Sequence, residues 1–189
     1  MISILLGAPG VGKGTQAQMA AEANGWIHLS TGELLREEAA AGSELGLKAN
    51  EFMSRGDLVP DEVMVGLVVS RIESLNTDDV LLLDGFPRTL PQAEELGKAA
   101  PSGSIGLALY FTASDDVLTE RLLGRGREDD TLEVIQHRLT VYRETTEPLV
   151  AYYRDQNLLR EIQADRAVED IQADTSQVVK SVLSQMETA

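Results

Sequence analysis

Short, nearly continuous apolar runs alternate along the chain with longer segments in which apolar and polar positions mix. The runs are Ile2–Leu6, Trp26–Leu29, Val80–Leu83, Ile105–Phe111 and Leu158–Ile162. Most are apolar throughout rather than at every second position, which suits strands of a sheet covered on both faces. The longer segments, Lys13–Ala23, Gly32–Ala40, Ser43–Ser54, Asp61–Leu75, Pro91–Ala99, Ser114–Leu123, Thr131–Tyr153 and Thr175–Met186, read as helices. Strand followed by helix along the whole chain predicts an α/β, doubly wound fold with parallel strands and right-handed crossovers. In the long 131–153 helix the buried stripe is expected at Leu132, Ile135, Leu139, Tyr142, Leu149 and Tyr153. Three consecutive helices within 31–76 form an excursion from the sheet. The breaks at Ala40–Ser43, Pro101–Ser104 and Gly124–Asp130 are too short to part domains, so one domain over 1–189 is expected.

Composition narrows the classes. The 189 residues are 43% hydrophobic and 25% charged, an ordinary globular mixture long enough for a sizeable core. Absence of cysteine excludes a disulfide framework and thiolate metal sites. Met1 leads into Ile2–Leu6 without a basic segment, and no apolar run nears the ~20 residues that span a bilayer. The expectation is a cytoplasmic protein. A net charge of −15 argues against nucleic acid and anionic membrane as partners. The cations, however, are 12 Arg and only four Lys, and several of the arginines stand in glycine-rich surroundings.

The sharpest chemistry lies at Gly7-Ala8-Pro9-Gly10-Val11-Gly12-Lys13-Gly14-Thr15, directly after a strand and opening a helix. Glycines let backbone N–H groups turn inward, and the helix N-terminus adds partial positive charge, so phosphates can be cradled there. Lys13 is placed to reach the outer phosphates, and a hydroxyl to lie near Mg²⁺. The general phosphate-loop pattern asks for Ser or Thr directly after the lysine; here Gly14 stands before Thr15. Three further stretches are hard to explain as scaffold. Ser30-Thr31-Gly32-Glu33-Leu34-Leu35-Arg36 follows the second strand, with Ser30 or Thr31 as helix N-cap. Asp84-Gly85-Phe86-Pro87-Arg88-Thr89 follows the third, with Gln92 one turn later. Arg121, Arg125, Arg127 and the acidic Asp129-Asp130 follow the fourth strand's helix. In doubly wound sheets ligands bind beyond the carboxyl ends of the strands, where these stretches fall.

In these motifs the sequence resembles the adenylate kinase family, whose signature reads GxPGxGKGT, STG(D/E)xLR, DGFPRT with a following Gln, then lid arginines and RxDD. All are present in order, and GKGT accounts for Gly14. The resemblance implies a five-stranded parallel sheet flanked by helices, an AMP-binding excursion at about 30–59 and a short lid at about 124–130. The implied reaction is Mg·ATP + AMP ⇌ 2 ADP. It would place Gly10, Val11, Gly12, Lys13, Gly14, Thr15, Arg121, Arg125 and Arg166 at ATP. It would place Thr31, Arg36, Asp57, Leu58, Val59, Gly85, Phe86, Pro87, Arg88, Gln92, Arg127 and Arg138 at AMP. Lys13, Arg88, Arg121, Arg125, Arg127 and Arg138 would surround the transferring phosphoryl group, and Asp84 would organise Mg²⁺ through its waters. Arg166 falls where relatives contact adenine with a backbone carbonyl. Glu33 stands where most relatives carry Asp. The lid lacks the inserted β domain and cysteines of long-lid relatives, so no structural zinc is implied. The expected partners are ATP, AMP and ADP, on a monomer.

Arginine suits this chemistry because its planar fork stays ionised and grips phosphate bidentately, and no general base is needed for a phosphate acceptor. Arg121 and Arg125 are i and i+4 on one helix face, and Arg138 lies about 100° off the buried stripe of its helix. Gly124 and Gly126 are hinge candidates. Asp129 and Asp130 either orient the lid arginines or cap the next helix. His28, His137, Trp26, Tyr152 and Tyr153 read as structural. Two other functions fit the sequence: a UMP/CMP kinase, against which Thr31 and Gln92 argue, and an inactive nucleotide-binding regulatory module, against which the arginine set argues.

Overall fold

Five strands form one parallel sheet in the computed structural model, which describes residues 1–76, 78–127 and 129–188. Glu128, inside the expected lid, lies outside the described residues. The strands are β1 (Ile2–Leu6), β2 (Ile27–Ser30), β3 (Leu81–Asp84), β4 (Ile105–Thr112) and β5 (Leu159–Gln163), ordered β2-β3-β1-β4-β5. Central β1 is buried at every position, which accounts for its unbroken apolar run, while edge strand β5 (Leu-Arg-Glu-Ile-Gln) buries only Ile162. Side-chain alternation divides the core between two faces. Leu5, Leu82, Leu107, Leu109 and Phe111 pack on one, and Ile2, Ile4, Leu6, Leu81 and Leu83 on the other.

The first face is covered by α1 (Lys13–Asn24), α6 (Asp115–Gly124), α7 (Leu132–Val141) and α9 (Val168–Glu187); the second by α2 (Thr31–Ala40), α3 (Glu44–Met53), α4 (Asp61–Ile72), α5 (Leu90–Ala99) and α8 (Pro148–Asp155). The excursion is α2–α4, running from β2 back toward β3. Two of its helices begin where the sequence supplies oxygen caps, Ser30 accepting from the Glu33 N–H and Ser43 from the Gly46 N–H, whereas α4 follows Pro60 without a side-chain cap.

Two segments depart from the sequence expectation. The 131–153 helix is broken by a π-turn at Tyr142–Thr146. Pro148 has no N–H to donate and its ring crowds the carbonyl four residues back, so the ladder shifts to an i→i+5 bond from Glu147 N–H to Tyr142 O, 2.9 Å. Of the expected stripe, Ile135, Leu139, Tyr142, Leu149 and Tyr153 are buried, whereas Leu132 is 53% exposed. Leu132 occupies the first turn, just after the Thr131 cap, on the side facing solvent. The last helix starts at Val168, before the expected Thr175, with Glu169 and Asp170 favouring the positive end of its dipole. Among the described residues, no helix is long and apolar enough to cross a membrane.

Candidate active site

The carboxyl ends of β1, β2 and β3 open into one continuous cleft of about 570 Å³. On one side the loop after β1 wraps the N-terminus of α1. Gly10 (φ +87) is required twice over, because a Cβ there would lie 2.8 Å from the Leu118 carbonyl oxygen. No side chain caps α1 and its first turn holds no acid, so the helix presents its partial positive charge to the cleft. Lys13 curls back over the loop, its Nζ donating to the carbonyls of Gly7 (2.7 Å) and Ala8 (3.1 Å). Burial, aided by the like charges of Arg88 and Arg125 and opposed by Asp84, lowers its pKa to about 8.

Asp84 ends β3, with its side chain 13% exposed. Burial pushes its carboxyl upward, but His28, Lys13 and Arg88 outweigh that and hold it below the ordinary range. The His28 Nε2 lies 3.9 Å from Oδ2, beyond hydrogen-bond length, so its influence is through space. Gly85 (φ +84) follows, and a Cβ there would stand 2.6 Å from Thr31 Oγ1 and 3.1 Å from Arg88 Nη2. Glycine thereby lets the start of α2 and the Arg88 loop meet. After the cis Phe86–Pro87 peptide, the Arg88 backbone is tied on both sides. Its N–H donates to Gln92 Oε1 (2.7 Å), and its carbonyl accepts from the Thr146 hydroxyl (2.8 Å). The Arg88 Nε donates to Gly85 O at 2.8 Å.

The third wall carries the arginines. Arg121 Nη1 donates to Val11 O at 3.2 Å, joining α6 to the glycine-rich loop. Arg125 grips Asp130 bidentately (2.8 and 2.6 Å), and Arg138 reaches Asp130 Oδ1 (2.8 Å), Asp129 and the Met53 carbonyl (3.2 Å). Asp129 and Asp130 therefore orient arginines, and the N-cap of α7 is Thr131. Burial pushes the Asp130 carboxyl up, but its bonds to Arg125 and the charges of Arg125 and Arg138 hold it low. The Arg127 pKa is lowered by burial and then by the like charges of Arg125 and Arg36; that of Arg36 is lowered by burial and, among charges, by Arg125 and Arg88. Cations that repel one another across a cleft are stabilised in their charged forms by a polyanion between them.

Eighteen expected residues besides Lys13 and Asp84 line this cleft: Gly10, Val11, Gly12, Gly14, Thr15, Thr31, Arg36, Asp57, Leu58, Val59, Gly85, Pro87, Arg88, Gln92, Arg121, Arg125, Arg127 and Arg138. Two do not. Phe86 is 1% exposed and packs into the core beneath the sheet, so only its backbone borders the loop. Arg166 is not among the lining residues and pairs with Asp174, while Val168 and Ile171 in the first turn of α9 reach the cleft. Sequence reasoning missed Asp61, which accepts from the Thr89 hydroxyl and Gln92 Nε2, and Thr146 beneath Arg88. It also missed the pair of His137 Nε2 with Asp57 Oδ1 at 2.7 Å, which ties the excursion to α7. Asp61 carried a faint signal, as an acid directly after Pro60 at a helix start; the other two carried none.

Comparison with known proteins gives the same direction. The family model described as adenylate kinase matches residues 5–158. The chain is 47% identical over 183 residues to a protein of Parasynechococcus marenigrum named adenylate kinase, spanning 96% of this chain and 97% of that one. It is 45% identical over 178 residues to an adenylate kinase of Mycobacteroides abscessus, spanning 93% and 97% of the two chains. A third, from Leuconostoc mesenteroides, is 42% identical over 181 residues, or 95% and 97%. Matched by the family model over most of its length and by these relatives nearly end to end, the chain belongs to the adenylate kinase family.

Proposed function

We propose that this chain transfers the terminal phosphoryl group of Mg·ATP to AMP, reversibly, giving two ADP. The observation that carries the reading is one cleft in which the glycine-rich loop with Lys13 faces Arg36, Arg88, Arg127 and Arg138 and which extends to Gln92. ATP phosphates lie on the 10–15 loop against Arg121 and Arg125. The AMP phosphate lies between Arg36 and Arg88, and its base lies among Thr31, Gln92 and the 57–59 backbone.

An oxygen of the AMP phosphate attacks the γ-phosphorus while the bond to the β,γ-bridging oxygen breaks, and ADP leaves. The attacking oxygen is already ionised, so the protein's task is alignment and charge neutralisation. Lys13 follows the outer phosphates of ATP, Arg88 bridges donor and acceptor, and Arg121, Arg125, Arg127 and Arg138 spread positive charge around the moving group. Asp129 and Asp130 hold two of these arginines in place before substrate arrives, so less ordering remains to be done on binding. The 30–59 excursion and the 124–130 segment cover the site against water, which would otherwise compete as acceptor.

The residues present also fit Mg²⁺ accompanying ATP. Asp84 turns an ionised carboxylate into the cleft, and a Cβ built on Gly14 would lie 3.2 Å from its Oδ2. Among the described residues no cluster of three or more His, Cys, Asp or Glu forms an all-protein cage. A single carboxylate suits an ion that keeps waters and takes its other ligands from phosphates. Bound there, the ion would supply charge neutralisation at the phosphates.

Thr31 and Gln92 support an adenine acceptor over a pyrimidine one, and the intact Lys13, Arg88, Arg121 and Arg138 support turnover over mere binding. The reading includes a cytoplasmic monomer with small nucleotides as its partners. Initial rates with AMP, CMP, UMP and GMP, with and without Mg²⁺, test it. AMP is expected to lead and to require the metal; preference for CMP or UMP overturns the assignment.

A further inference from the structure

Gln92 is 1% exposed, and both ends of its amide are committed. Nε2 donates to Asp61 Oδ1 at 2.7 Å, while Oε1 accepts from the Arg88 N–H at 2.7 Å. Asp61 Oδ2 meanwhile accepts from the Thr89 hydroxyl at 2.8 Å, so one carboxylate links the first turn of α4 to the cap of α5. Turned over, the Gln92 amide would set an oxygen against the carboxylate and an NH₂ against an N–H. Two hydrogen bonds would become two like-against-like contacts. The chain itself thus fixes the orientation, with no ligand needed.

Each end keeps one free valence: Nε2 a second hydrogen, Oε1 a second lone pair. A base read by that pair must offer a donor to Oε1 beside an acceptor for Nε2. A 6-aminopurine does so, through its exocyclic N–H and ring N1. A 6-oxopurine of the same size presents the opposite order, an acceptor oxygen beside an N1–H. We propose that Asp61 determines acceptor specificity by pinning the Gln92 amide in the orientation that matches a 6-aminopurine and opposes a 6-oxopurine. Asp61 is not among the residues lining the cleft, so it is a positioning residue acting through Gln92. The inference rests on the reading that Gln92 belongs to the AMP site.

The test measures kcat/KM for AMP and for IMP, which differ at this edge and not in size, in wild type, Asp61→Asn, Asp61→Ala and Thr89→Val. Wild type is expected to favour AMP strongly. Asp61→Ala should narrow the AMP:IMP ratio about tenfold, the equivalent of ~1.4 kcal/mol and in the range of a single hydrogen bond. Asp61→Asn, keeping a neutral acceptor, and Thr89→Val, loosening the carboxylate, should fall between, with the KM for ATP unchanged throughout. Thermal melting checks that each variant is folded; should the alanine variant fail to fold, the other two carry the test. If AMP and IMP rates fall in parallel and the ratio stays constant, Asp61 is only structural and the proposal is overturned. Wild type that forms no ADP from AMP would instead remove the underlying reading, and the proposal with it.

Discussion

Lys13 illustrates how a single side chain is poised by its surroundings. Burial and neighbouring arginines lower its pKa to about 8, so it loses its proton as pH rises through that value. ATP phosphates beside it favour the ammonium and pull the pKa back up. Binding of ATP at pH 8–9 should therefore take up a fraction of a proton, measurable by calorimetry in buffers of different ionisation enthalpy. Lys13→Met should abolish that uptake, and a wild type showing none would contradict the burial argument. In the proposed reading Arg88 serves the acceptor, so Arg88→Ala is expected to depress turnover and AMP use by about 10²-fold or more while ATP binding changes little. Unchanged AMP kinetics would remove Arg88 from the pocket. The motif residues that line the cleft were legible because each motif is local in sequence, at or just beyond the end of a strand or helix. Asp61, Thr146 and His137 were not, since they act through partners 31, 58 and 80 positions away.

Among elements, the π-turn between α7 and α8 contributes to the site by holding a neighbouring loop rather than by supplying a cation. The π-turn forced at Pro148 carries Thr146, whose hydroxyl holds the Arg88 carbonyl at 2.8 Å. Thr146→Val keeps the shape and removes the donor, leaving the part-buried Arg88 carbonyl unpaired. We expect a stability loss of about 1–3 kcal/mol by denaturant titration and a several-fold higher KM for AMP. Thr146→Ser should restore the KM, whereas a KM indifferent to all three residues would show that Arg88 is held by other means. The central strands β1, β3 and β4 were readable from apolar runs because both faces of the sheet are covered there, while edge strand β5 showed only through Leu158, Leu159 and Ile162 around its two charged residues. The π-turn was not, because periodicity over 131–153 records which side chains are apolar, not the hydrogen-bond step that Pro148 imposes. The start of α9 at Val168 escaped notice for a related reason: its first turn is largely acidic and exposed, and only Ile171 marks the core face.

For the whole molecule, the charge distribution matters more than the net value. Seven cations, Lys13, Arg36, Arg88, Arg121, Arg125, Arg127 and Arg138, line the cleft, leaving nine others against 31 carboxylates. A basic cleft within an acidic exterior draws mononucleotides inward and disfavours extended polyanions. Salt should act on the two regions in opposite senses. Screening the exterior relieves self-repulsion and should raise the melting temperature between low salt and about 0.3 M, while screening the cleft should raise KM for both nucleotides. A melting temperature that only falls with added salt would contradict this picture. The central claim, transfer from ATP to AMP within this cleft, is tested most directly by phosphorus NMR of the protein with Mg·ATP and AMP. ATP and AMP signals are expected to decline together as ADP alone grows. Accumulating orthophosphate, or an unchanged spectrum from protein that binds both nucleotides, would contradict it.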